Sequence, residues 1–162
     1  MDVVVKALIV YESKYGNTRL VGETITQGMM ETEGAEATLV EVQEVDLDKT
    51  TDYDLIMIGS PNHVGGPTRG IMKFLDELGK LDLKGKWVAV FDTYMGGDFE
   101  KAVKKMERRI SGKAPGLKIA AQGLSIGVQG MKGPVVEGAL PKSKEFGNRI
   151  VAQIRETRNP AI

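Results

Sequence analysis

Five short runs dense in Val, Ile and Leu recur along this chain, and between them lie stretches whose apolar residues repeat at helical spacing. The runs are Val3 to Val10, Ala37 to Val42, Asp54 to Gly59, Lys86 to Asp92 and Leu117 to Ile126. Their near-continuous apolar content describes strands covered on both faces, as in a parallel sheet. The helical stripes are Val21, Ile25 and Met29; then Ile71, Phe74, Leu75 and Leu78; then Phe99, Val103, Met106 and Ile110; finally Phe146, Ile150 and Ile154. Each set marks one buried face of a helix. Pro67 and Asp98 stand where the second and third helices should begin, and Gly34, Gly79 and Gly112 where helices should stop. Gln43 to Tyr53 is too short for a crossover helix and reads as a single turn around Asp46 to Thr50. Alternating strands and helices predict an α/β fold with a parallel sheet, and five strands favour the order 2-1-3-4-5.

A chain of 162 residues is near the common size of one domain and buries about 70% of the surface its unfolded form exposes. A single domain over residues 1–162 is therefore expected. Its 22 basic and 22 acidic side chains cancel, so charge gives no argument for nucleic acid or an anionic membrane as partner. The absence of cysteine excludes disulfides, thiolate chemistry and iron–sulfur clusters, so redox chemistry would need a bound cofactor. No signal-peptide pattern and no apolar run near the length of a membrane span are present, which leads to the expectation of a cytoplasmic protein.

An open parallel sheet binds ligands outside the carboxyl ends of its strands, beside the point where strand order reverses. Three loops should converge there: Glu12 to Thr18, Ser60 to Thr68, and Thr93 to Asp98. In the first, Ser13-Lys14-Tyr15-Gly16-Asn17-Thr18 lies between a strand and a helix start. Free backbone N–H groups and the helix dipole make an anion cradle at such a point, while Ser13, Asn17 and Thr18 add side-chain donors and Gly16 permits close approach. Ordinary helix capping would use the same residue types. Lys14 and Arg19 add positive charge nearby.

These residues resemble the phosphate loop of flavodoxins, which holds the 5′-phosphate of FMN without a metal. Tyr15 departs from the small hydroxyl residue usual there. The second loop, Ser60-Pro61-Asn62-His63-Val64-Gly65-Gly66-Pro67, is similar to the loop that lines one side of the isoalloxazine in that family, and Thr93-Tyr94-Met95-Gly96-Gly97-Asp98 to the loop on the other side. With all three motifs in order, the resemblance covers nearly the whole chain. It implies a flavodoxin-like three-layer sandwich, non-covalent FMN, and electron transfer between redox proteins with the flavin passing through oxidised, semiquinone and hydroquinone states. No residue is then needed as acid, base or nucleophile.

Under this reading the FMN contacts come from Ser13, Lys14, Tyr15, Gly16, Asn17, Thr18, Ser60, Pro61, Asn62, His63, Val64, Gly65, Thr93, Tyr94, Met95, Gly96, Gly97 and Asp98. Tyr94 is the best stacking residue. His63, the only histidine, can stack or hydrogen-bond near N1 and O2 of the ring, or be a solvated loop residue. Val64, Met95 and Gly96 fall where some relatives have tryptophan, implying a less covered flavin face. Asp92, Asp98 and Glu100 would oppose negative charge on a reduced flavin, although helix dipole and capping are the first reading of Asp98 and Glu100. Lys101, Lys104, Lys105, Arg108 and Arg109 read as a solvated helix face, with a docking patch for an acidic partner as the lesser alternative. Trp87, at the far end of the fourth strand, is assigned to packing.

The implied partners are a reductase and an electron acceptor, with the chain a monomer or weak homo-oligomer. The alternative is an NAD(P)H-dependent quinone or flavin reductase on the same fold, for which only the loop Val128 to Gly138 is in reserve. A phosphoacceptor signalling domain is disfavoured by Gly59 and Ser60 at the third strand's end, and nucleoside triphosphate hydrolysis by the lack of a Gly-x-x-x-x-Gly-Lys-Ser/Thr loop.

Overall fold

Phe91 and Gly59 show how this sequence closes its layers. They are paired neighbours on adjacent strands, and the phenyl ring lies over the glycine, in space that any Cβ there would fill. Gly22 of the first helix leaves room on the other side of the same ring.

The computed structural model describes residues 4–158; Val3, the first residue of the expected first strand, lies outside the described residues. Strand β1 (Val5–Tyr11) leads into helix α1 (Asn17–Met30) and strand β2 (Ala35–Glu41). Two 3₁₀ turns, Val42–Glu44 and Leu47–Asp52, precede β3 (Leu55–Pro61). The second turn is capped by Asp46, whose carboxylate accepts from the Asp48 N–H, so the expected single turn is there in extended form. Helix α2 (Arg69–Leu78), strand β4 (Trp87–Tyr94), helix α3 (Lys101–Lys113), strands β5 (Lys118–Ile119) and β6 (Leu124–Gly127), and helix α4 (Ala139–Arg158) follow.

All strand pairs are parallel, and the order across the sheet is β2-β1-β3-β4-β5, with β6 also on β4. Alternate residues of each strand supply two separate cores. Val5, Ala7, Ile9, Leu55, Met57 and Phe91 pack with α1 and α4, whereas Leu8, Val10, Ile56, Ile58, Val88 and Val90 pack with α2 and α3. This is the three-layer sandwich that the period of two in a doubly covered sheet requires.

Three sequence expectations need correction. The fifth strand is not continuous from Leu117 to Ile126: β5 pairs with Trp87 and Val88, β6 with Phe91 to Tyr94, and the chain detours between them. At Gly123 the backbone runs so close to Val103 that a Cβ would collide, and its N–H donates to the Glu107 carboxylate, which draws the segment toward α3. Phe99 is not part of the third helix stripe; Glu100, at φ 62°, turns the chain just before α3, and Phe99 is left exposed. Gly112 does not stop α3, which runs on to Lys113.

Asp98 and Glu100 do not cap α3 with their side chains either. The cap comes from a strand: the fully buried Asp92 accepts from the Val103 N–H at 3.0 Å, and its other oxygen meets Ser125 Oγ at 2.6 Å. Burial pushes the Asp92 carboxyl above the ordinary aspartate value of 3.8, against the opposing effect of these hydrogen bonds. Between the unfolded and the higher folded pKa the native state holds the extra proton, so stability is greatest below this window and falls as pH rises through it. Asp54 has the opposite sign. Burial would raise it, but Arg158 and the Lys6 N–H outweigh burial, so its contribution is present above 3.8 and is lost as pH falls. In urea unfolding, the stability of the wild type relative to the Asp92→Asn variant should therefore fall as pH rises through this window. A stability difference between the two that does not vary with pH would mean that Asp92 titrates as a free carboxylate.

Candidate functional site

At the carboxyl ends of β1, β3 and β4 the three loops surround a cleft of about 1040 Å³. That is large enough for a cofactor the size of a mononucleotide with a fused aromatic ring.

The floor of one end is the β1–α1 loop. Gly16 stands at the N-cap of α1 with φ 92°, a conformation that favours glycine. Ser13 Oγ accepts from the N–H of Gly16 at 3.1 Å and of Arg19 at 3.2 Å. With both lone pairs engaged, its proton is free to donate to a ligand. Thr18 is buried, and its hydroxyl meets that of Thr93 at 2.8 Å, tying the loop to the end of β4. When Thr93 donates in this pair, the Thr18 proton is also free. The N–H groups of Asn17 and Thr18 have no acceptor among the described residues, as expected in a first helical turn. The hydroxyls of Ser13 and Thr18, two free amide protons and a helix N-terminus thus meet at one end of the cleft, which suits an anionic group. The Tyr15 hydroxyl is engaged elsewhere: it reaches Met131 Sδ at 3.3 Å, and Lys14 lies over the ring.

The β3–α2 loop forms one wall. Asn62 is anchored by its backbone N–H and its side-chain amide, both donating to the Thr93 carbonyl, while its buried Oδ1 has no donor. A buried acceptor without a partner costs roughly 1–3 kcal/mol, which a ligand N–H or O–H would relieve. The His63 N–H donates to the Gly66 carbonyl at 2.7 Å, closing a tight turn through Val64 and Gly65 at φ 54° and 72°. A β-branched residue in that region is strained by about 1–3 kcal/mol, and strain of this kind collects at binding sites. Ser60 lines nothing; it is buried, accepts from the Thr68 N–H and donates to the Pro61 carbonyl.

The opposite wall is the end of β4. Tyr94 packs edge-on against Phe99, with ring centroids 5.4 Å apart and planes at 65°, and lies close over Gly127. Thr93 and Met95 line the cleft with it, whereas Gly96, Gly97 and Asp98 lie beyond it. Asp98 pairs with Lys101 at 3.2 Å. Asp92 faces α3 and is engaged there, so it does not lie in the cleft as a charge opposing a reduced ring.

Two places outside the expected FMN contacts also line the cleft: the loop 128–138, held in reserve for the reductase alternative, and Glu12, the first residue of the first loop. Val128 and Met131 also line the cleft, because the segment 128–138 folds back on itself through a Val128–Val135 bridge. Gly133 of that segment lies so close to the Asn17 amide that a Cβ would collide with it. Glu12 lines the far end, where its carboxylate accepts from Gln43 Nε2 at 2.8 Å and from Thr68, whose hydroxyl also caps α2 by accepting from the Ile71 N–H. The apolar Val128 and Met131 carry no motif, so the sequence could offer their loop only as a reserve, and β6 is what brings it to the cleft.

The family model for the flavodoxin domain matches residues 8–125. The chain belongs to the flavodoxin family. It is 30% identical over 94 residues to a flavodoxin of Aquifex aeolicus, a stretch covering 56% of this chain and 51% of that protein; the chain thus spans about half the length of this relative. Flavodoxin 2 from Bacillus cereus superposes with a TM-score of 0.78 at 28% identity, covering 92% of this chain and 99% of that one. The same fold forms part of a larger protein, the rubredoxin oxygen:oxidoreductase of Desulfovibrio gigas, with a TM-score of 0.80 at 16% identity over 99% of this chain and 38% of that one. The cofactor of the family is FMN. The residues of this chain fit it, since the anion cradle at α1 and Asn62, whose buried Oδ1 has no partner, line one cleft.

Proposed function

We propose that this flavodoxin carries electrons one at a time between redox proteins in the cytoplasm, on FMN held in the cleft without a covalent bond. The observation that carries the reading is the pairing of an anion cradle with a buried, unsatisfied acceptor in the same cleft. Bound FMN supplies the electron-accepting ring.

The protein's residues position it and control its surroundings. Ser13 Oγ and Thr18 Oγ1 donate to the phosphate with the N–H groups of Asn17 and Thr18, and Lys14 adds charge at longer range. Asn62 Oδ1 accepts from a donor on the ring edge or the ribityl chain. Tyr94, held edge-on by Phe99, covers one ring face, and the turn through His63, Val64 and Gly65 lies along the other, presenting backbone groups to the ring edge. Pro61, Tyr15 and Met95 complete the lining and exclude water. Ser60 acts through the loop, by fixing Thr68 and Pro61. Gly16 shapes the cradle, and Gly96, Gly97 and Asp98 shape the approach to Tyr94 from outside the cleft.

The visible absorption of the purified protein during stepwise chemical reduction tests this. A yellow protein that releases FMN on denaturation and is reduced in two separated one-electron steps is the expected result. A colourless protein that does not take up added FMN would overturn the reading, and rapid two-electron reduction by NAD(P)H alone would replace the carrier with a reductase.

A further inference from the structure

The mouth of the cleft concentrates the apolar surface of this protein. Among the described residues ten large apolar side chains are exposed, and six of them, Tyr15, Val64, Met95, Phe99, Met131 and Val136, come from the segments that ring the cleft. Val64 is 94% exposed at the tip of its strained turn, and Met131 62%. Apolar side chains gathered at one rim mark a surface that another molecule covers.

The charge around that rim is predominantly positive. Lys14 and Arg69 line the cleft itself. Lys105 reaches from α3 to the turn, its Nζ within 3.2 Å of where a Cβ on Gly66 would stand, and Lys101 lies beside Gly65. Lys132 follows Met131 on the exposed segment. Asp98 is paired with Lys101 and Glu100 with Lys104, so these carboxylates cancel only their own partners. Among the described residues Lys14, Arg69, Lys105 and Lys132 have no carboxylate within salt-bridge distance. Against them stand Glu12, which lies at the inner end of the cleft hydrogen-bonded to Thr68 and Gln43, and the exposed Glu137 beside Val136. The whole chain is neutral, so this excess is a local arrangement.

The geometry points to this apolar rim, ringed by Lys14, Arg69, Lys105 and Lys132, as the docking surface for a redox partner that presents an acidic ring around an apolar centre at its own electron-exchange site. The inference rests on the carrier reading above and specifies its partner. Positive charge around the mouth steers such a partner to the opening of the cleft that would hold FMN, and the flexible Met side chains and Val64 supply a small apolar contact that can release quickly. A small apolar contact with charged edges suits transient electron-transfer encounters.

Stopped-flow mixing of the FMN-loaded, fully reduced protein with acidic cytochrome b5, and separately with basic cytochrome c, tests it. In each reaction one electron leaves the flavin and reduces ferric haem to ferrous. The expected result is a second-order rate with cytochrome b5 that falls about tenfold between about 10 and about 300 mM salt, and a rate with cytochrome c that does not fall. The double variant Lys105→Glu/Lys132→Glu should lower the low-salt rate with cytochrome b5 about tenfold and flatten its salt dependence. Electron transfer to neutral benzoquinone should be the same in both proteins, which separates docking from cofactor function. A salt-independent rate with cytochrome b5, or a double variant that matches the wild type, would overturn the docking surface while leaving the carrier intact. Failure to load FMN or to reduce benzoquinone would strike the carrier reading itself. Sedimentation that shows a dimer broken by the double variant would assign the rim to a second copy of this chain instead.

Discussion

Replacing Gly147 or Gly28 with alanine is expected to lower the unfolding free energy by about 3 kcal/mol or more. Helices α1 and α4 cover one face of the sheet together, and each approaches the other's backbone through a glycine. A Cβ on Gly28 would collide with the Lys144 carbonyl, and one on Gly147 with the Ile25 carbonyl. Backbone carbonyls cannot rotate aside as a side chain can, so the helices must separate and open the core around Ile25, Met29, Phe146 and Ile150. Alanine is worth up to about 1 kcal/mol over glycine in a helix, which is too little to offset that separation. Gly112 in α3 provides the control, because a Cβ there meets nothing within 4 Å. Gly112→Ala should stabilise by about 0.5 kcal/mol. Urea denaturation of the three variants measures this, and equal stability of Gly147→Ala and wild type would mean that the helices do not touch at this crossing.

That crossing also shows what the sequence could disclose. The stripes Val21, Ile25, Met29 and Phe146, Ile150, Ile154 announce two helices with apolar faces, and all six residues are buried as their spacing implies. Nothing in either stripe says that the two helices meet each other, since Gly28 and Gly147 acquire meaning only from the carbonyls opposite. Strands β1, β3 and β4 were legible because they are covered on both faces and so run almost wholly apolar, apart from Lys6 and the buried Asp92, until they reach the cleft. The split between β5 and β6 was not, because the apolar residues run on through it and the cause, a close approach of Gly123 to Val103 with Glu107 accepting its N–H, is tertiary. Phe99 misled for a related reason: it keeps the helical interval to Val103, yet the left-handed turn at Glu100 breaks the helix between them and leaves Phe99 against Tyr94.

The candidate site divides in the same way. Ser13, Gly16, Asn17 and Thr18 could be placed at an anion cradle from residue type and position alone, as strand end, turn and helix start dictate backbone geometry there. Ser60 reads as a ligand-facing hydroxyl in its motif, but the Thr68 N–H and the Pro61 carbonyl use it up. Asp92 reads as one more carboxylate near the ring, whereas burial between β4 and α3 makes it the cap of α3. In both cases a nearby unsatisfied backbone group decided the role, and such groups are invisible until the chain is folded.

Thr18→Val should weaken FMN binding about 30-fold, the equivalent of about 2 kcal/mol for one charge-assisted hydrogen bond. Valine keeps the shape and the burial of the side chain but removes the hydroxyl that stands between Thr93 and the anion cradle. Two mechanisms could produce a loss: a missing donor to the phosphate, or a loop loosened by leaving Thr93 Oγ1 without its partner. Riboflavin separates them, because it has the ring and ribityl chain of FMN without the phosphate. If Thr18 acts on the phosphate, fluorescence titrations will show FMN affinity falling while riboflavin affinity stays the same, so the advantage of FMN over riboflavin shrinks about 30-fold. Equal losses for both ligands would make Thr18 a positioning residue for the loop and leave the phosphate to Ser13 and the amide groups. Asn17→Ala should give a smaller loss of the same phosphate-dependent kind, since its backbone N–H survives the change and only the amide packed against Gly133 is removed.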